Sequence, residues 1–87
     1  MRQAPEYFGD EELTLVYVAK KLKEALAVEK VLGDAGLDYL VEPEKYRGGV
    51  IFLSERVGAF FYVGPKDKVN VSELLTAAGY KPYREEE

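Results

Sequence analysis

Two stretches decide how the chain folds: YVAKKLKEALAVEKVLGDAGLDYL, residues 17–40, and YVGPKDKVNVSELLTAAGYKPY, residues 62–83. Each opens on Tyr-Val at the end of a run rich in β-forming residues. Each then carries apolar residues at helical spacing, reaches Ala-Gly, and resumes in a short segment with an aromatic. Gly36 follows Tyr17 by 19 positions, and Gly79 follows Tyr62 by 17. The chain therefore repeats a strand–helix–strand unit. Two such units, each leaving room for a strand of the other, interleave into one antiparallel sheet with both helices on one face. The predicted class is α+β, in the ferredoxin-like βαββαβ arrangement.

The elements follow from local pattern. Leu13–Ala19 reads as a strand. Lys20–Ala35 reads as a helix, with Leu22, Ala25, Leu26, Val28 and Leu32 on one side. Gly36 stops it in the left-handed position, and Leu37 folds back as the hydrophobic partner. Residues 37–42 alternate as a second strand. Pro43 is expected to end it, because proline cannot donate to a ladder. Residues 43–49 then form a loop. The apolar runs Val50–Leu53 and Ala59–Val63 predict an extra hairpin near 50–63, joined through Ser54–Gly58. For the second helix, Asn70 and Glu73 make a capping-box-like pair, and Val71, Leu74, Leu75 and Ala78 follow at helical spacing. Pro65 offers an earlier start. Tyr80–Tyr83 is a short last strand that Pro82 confines to a sheet edge.

Eighty-seven residues make one domain, placed at 13–84. The charge of −4 divides unevenly. Residues 1–12 hold Arg2 against Glu6, Asp10, Glu11 and Glu12, and residues 85–87 are all Glu. These two acidic segments are expected to be flexible. The body between them is nearly neutral and has no basic stripe, so nucleic acid is not an expected partner. The chain has no cysteine and no histidine. Thiolate and imidazole chemistry are excluded, and zinc of the usual N/S kind has no ligands. No metal or cofactor is predicted. No apolar run approaches the ~20 residues of a membrane span, so no membrane association is expected. The first residues lack a signal pattern, which points to the cytoplasm.

The stretch Ala59–Pro65, AFFYVGP, is apolar on both faces of its strand, as is Leu13–Ala19. Helices cover one face of the predicted sheet. The other needs a cover, and a second subunit, the Tyr7-Phe8 segment or a ligand would serve. A homodimer is favoured, because twofold dimers are the commonest assembly. Val16, Val18, Phe60, Phe61 and Tyr62 are the candidate interface residues.

Glu29 falls beside the centre of the first helix's apolar stripe, where a carboxylate must be paired or hydrogen-bonded. Lys20 and Lys21 precede the first helix and Lys66 the second, where free N–H groups favour anions. Lys45 and Arg47 sit in a glycine-containing loop suited to binding. These six are the candidate ligand-binding residues, the basic ones suited to a small anionic ligand.

The first helix resembles that of a family of small bacterial sulfur/selenium-carrier-like domains. There the helix reads Ala-x-x-x-Glu-x-x-Leu-x-x-Ala-Gly, followed by a strand to a proline and then Cys-Gly. Ala25, Glu29, Leu32, Ala35, Gly36 and Pro43 match. Val57-Gly58 stands at the Cys-Gly position, so carriage of sulfur or selenium is not implied. The chain also resembles the PII-like signal-transducing family at Glu24, Ala25, Leu32 and Gly36, with Pro65 and Asp67 near that family's Val-Pro-x-x-Asp-like step. Both resemblances imply a ferredoxin-like fold and a regulatory or partner-binding role. The functional expectation is a non-enzymatic module that self-associates and binds a small ligand or a protein. The alternative is a carrier or accessory subunit whose catalytic residues lie on a partner.

Overall fold

The computed structural model describes residues 1–48 and 54–83, with the side chains of 45–48 and 54–56 excepted. The expected strand 50–53 and the tail 85–87 lie outside the described residues. The elements are α1 (Pro5–Phe8), β1 (Thr14–Ala19), α2 (Leu22–Asp34), β2 (Leu40–Gly48), β3 (Ser54–Val63), a 3-10 turn (Pro65–Asp67) and α3 (Lys68–Ala77). The strands form an antiparallel sheet in the order β1-β3-β2, so β3 is central. The fold is α+β, with α2 and α3 packed on one face of an open sheet.

The repeated Ala-Gly is a repeated helix stop. Gly36 takes φ 72° and Gly79 φ 93°, a region that a side chain strains. After each, the next N–H reaches back five residues, Leu37 to the Leu32 carbonyl at 3.1 Å and Tyr80 to the Leu75 carbonyl at 2.8 Å. Leu37 and Tyr80 then pack on the core beneath. The second helix uses the earlier of its two expected starts. Pro65 opens a 3-10 turn that runs into α3 at Lys68, and Asn70 lies inside the helix rather than at its cap.

The hairpin differs from expectation. Pro43 does not end β2, and residues 43–48 are strand rather than loop. Ser54–Gly58 is not a connection but the first half of β3. The pairing runs without interruption from Leu40 opposite Tyr62 to Gly48 opposite Ser54. The reason lies one residue before β2. The Tyr39 N–H donates to the Met1 carbonyl at 3.2 Å, and its carbonyl accepts from the Gln3 N–H at 2.8 Å. Tyr39 thus turns its backbone groups away from β3. Alternation turns those of Val41 and Pro43 the same way. The N–H that Pro43 lacks would have faced the free edge, so the ladder loses nothing.

β1 carries a second surprise. Its register with β3 shifts between Leu15 and Tyr17, leaving Val16 as an extra residue. Such a bulge breaks the alternation of side chains. Val16 and Tyr17 are both buried, and Leu15 and Val18 are left half-exposed opposite Tyr62 and Phe60. The core joins Val16, Tyr17, Ala19, Phe61 and Val63 to Ala25, Val28 and Leu32 of α2 and Val71 and Leu75 of α3. Leu22 and Leu26, expected in the core stripe, are 75% and 56% exposed. The last expected strand, 80–83, forms no ladder. It touches the outer side of β1 through one bond, Tyr83 N–H to the Val16 carbonyl at 2.8 Å. Among the described residues, no helix is long and apolar enough to cross a membrane.

Candidate functional site

The bare sheet face is built by β1 and β3. Leu15 pairs with Tyr62 and Val18 with Phe60 across the ladder, and all four are half-buried. On the β2 side Leu40, Glu42 and Glu44 follow at alternate positions. Of the five expected interface residues, Val18, Phe60 and Tyr62 lie here. Val16 and Phe61 do not: they are 2% and 0% exposed within the core, Val16 because of the bulge and Phe61 because it alternates with Phe60.

The six expected ligand contacts do not converge. Ala19 pairs with Ala59 and Thr14 with Val63, so the start of α2 and the turn before α3 leave opposite ends of the sheet. At ~3.4 Å per strand residue, about 14 Å separates the two ends. Lys20 and Lys21 are at one and Lys66 at the other. Lys45 and Arg47 extend the first end, on the part of the β2–β3 ribbon that outruns β1. The start of α2 also holds an anion of its own. The Lys20 N–H donates to Glu24 Oε1 at 3.1 Å, and the Tyr17 hydroxyl donates to Glu24 Oε2. A carboxylate in the first helical turn suits the helix dipole.

Glu29 is paired, by a hydroxyl and a guanidinium. The Tyr39 hydroxyl donates to Oε1 at 2.9 Å, and Arg2 Nη1 lies 3.7 Å from Oε2. This belongs to a wider pattern, in which tyrosine hydroxyls on the sheet and the N-terminal arm meet carboxylates. Tyr62 donates to Glu44 at 3.0 Å and Tyr7 to Asp38 at 2.9 Å. Burial, then the bond to the carboxylate, pushes Tyr39 and Tyr62 up to about 12. The same causes push Tyr17 up further, through Glu24. These phenols are held as donors and are poor bases near neutral pH. Their folded pKa exceeds the unfolded value near 10, so the stability they confer is complete below about pH 10 and is lost as pH rises towards 12. Alkaline titration at 295 nm should show tyrosinate appearing in two stages, with unfolding coincident with the second. A single stage near pH 10 with the fold intact would contradict the pairing.

The N-terminal arm supplies the cluster that sequence reading did not find. Arg2 makes a parallel bridge to Tyr39. Asp38 accepts from the Gln3 amide at 3.1 Å as well as from Tyr7. Those two bonds, Gln3 first, hold the Asp38 carboxyl below its usual range. Residues 1–12, expected as flexible, thus carry α1 and a strand-like contact. The one earlier signal was Tyr7-Phe8, two aromatics in an otherwise polar segment.

A cleft of about 1060 Å³ opens between the start of β1 and α3, lined among others by Leu15, Tyr62, Lys68, Thr76 and Tyr83. Tyr62 is its single member among the expected site residues, and Lys66 is not in its wall. Among the described residues, no cluster of three or more metal-ligating side chains forms, and no buried side-chain polar atom lacks a partner. Comparison with family models, with curated proteins and with solved structures finds no match.

Proposed function

We propose that this chain is a small non-enzymatic binding module that pairs with a second copy through the bare face of its sheet. The carrying observation is the quartet Leu15, Val18, Phe60 and Tyr62, which alternates with the core residues Phe61 and Val63 on β3 and is left only half-buried. A contiguous apolar face on a soluble chain marks an interaction surface. Aromatic side chains bury about 150–250 Å² each, and a standard interface takes roughly 800 Å² per partner. Phe60 and Tyr62, with the aliphatic pair beside them, make a substantial part of that. Glu42 and Glu44 exclude one geometry. In a face-to-face pair, an axis over β2 would set these glutamates against their own copies, so an axis over β1 and β3, with the glutamates at the rim, is favoured for that contact.

The finer fold reading is part of the same proposal. The order β1-β3-β2, helical connections on one face, and residues 80–83 beside the outer side of β1 fit a ferredoxin-like arrangement with a rudimentary fourth strand.

Sedimentation velocity at micromolar concentration tests the association. The wild type should sediment as a dimer, and Phe60→Glu should give a monomer with an unchanged circular dichroism spectrum. A monomeric wild type would overturn the reading.

A further inference from the structure

We propose that the N-terminal arm guards the outer edge of β2, and that the partner it holds off is a second copy of this chain docking β2 against β2. A strand edge with unpaired backbone groups is a template for another strand, and proteins blunt such edges. This edge is blunted twice. Pro43 removes a donor from its middle. The arm covers its start, where the Gln3 N–H and the Met1 carbonyl satisfy both backbone groups of Tyr39. Between these guards lies Val41, whose backbone groups face outward by alternation.

The occupant follows from what lies beside that edge. Glu29 marks the flank of α2 next to β2, because it bonds to Tyr39 and Arg2. Leu26 and Leu22 stand three and seven residues before it, so they share that flank. They are the two most exposed leucines among the described residues, at 56% and 75%. Edge pairing of two identical strands about a twofold axis is self-complementary. It would set α2 beside its symmetry mate and cover these leucines in both copies. This edge is separate from the Phe60 face, so the two contacts can be lost or gained independently.

The arm's hold is light. α1 buries no residue, and the bonds from Gln3, Tyr7 and Arg2 are exposed or partly so. Gln3→Pro with Asp38→Ala, in the full chain, removes the Gln3 backbone donor and the acceptor of both Gln3 and Tyr7. Amide exchange at Tyr39 should rise by about tenfold or more, as for a frayed edge. Sedimentation should show a species twice the mass of the wild-type particle. Adding Val41→Pro extends the proline guard and should abolish that species without restoring slow exchange at Tyr39. Adding Phe60→Glu instead should leave edge association intact. Faster exchange with no new species would overturn the guard. A new species that survives Val41→Pro would overturn the edge as its site. Unchanged exchange at Tyr39 would overturn the assignment of these bonds as the arm's hold. If the double variant fails to fold, Arg2→Ala alone, read by the same two measurements, decides.

Discussion

Phe61→Ala is expected to lower stability by about 3–5 kcal/mol, the range for truncating a buried phenylalanine. Phe61 is the largest fully buried side chain among the described residues. Its ring meets Tyr17 edge-on at 6.4 Å between centroids and lies tilted against Tyr39 at 6.0 Å. Truncation therefore leaves a cavity between Tyr17 and Tyr39 within the core that the strands share with α2 and α3. At roughly 0.05–0.15 kcal/mol per residue, a chain this size has on the order of 4–13 kcal/mol in total. The loss would take a large part of it. Phe60→Ala, one residue away on the bare face, should fall nearer the ~1 kcal/mol centre of point substitutions. Urea midpoints at constant slope compare the two directly. Equal losses would mean that β3 does not separate its faces as described.

That comparison also shows where the sequence was informative. In β3 the grouping of Phe60 with Tyr62 against Phe61 was legible from alternation, but which set turns to the helices was not. In β1 even the grouping was not. A single extra residue at Val16 reverses the alternation, and Val, Tyr and Leu suit either face equally well. The two strand–helix units were legible because their Ala-Gly stops carry a backbone demand that few residues meet, whereas the strand expected after the second stop forms no ladder. Pro43 misled for a definable reason. Proline forbids a donor but not a strand, and which side its nitrogen faces depends on which edge of the sheet is free. The ligand residues are spread apart because antiparallel pairing sends successive helix starts to opposite ends of the sheet, which local sequence does not reveal. That the Glu29 carboxylate needs a partner was visible in its position on the helix. Its partners were not, since Arg2 and Tyr39 meet it only after the arm and β2 are placed.

α2 turns the same lesson into a measurement. The sequence puts Leu22, Ala25, Leu26, Val28 and Leu32 on one side, yet the buried residues are Ala25, Val28 and Leu32. At about 100° per residue these three centre on a direction roughly 90° from Leu22 and 130° from Leu26. Glu29 falls between the two sets, about 70° from the buried centre, which is why it can reach Tyr39 and still meet Arg2. Leu32 is 0% exposed. Leu32→Ala should therefore cost about 2–5 kcal/mol, with the exact loss set by how far the site collapses. Leu26→Ala should stay within about ±0.5 kcal/mol, because little apolar area is lost and alanine is the better helix former. Thermal or urea unfolding of the two variants gives the contrast. A loss at Leu26 comparable to that at Leu32 would mean that this flank of α2 is already covered in solution. Repeating the pair at a tenfold lower protein concentration would then tell whether the cover is a second copy, since only a bimolecular contact loosens on dilution.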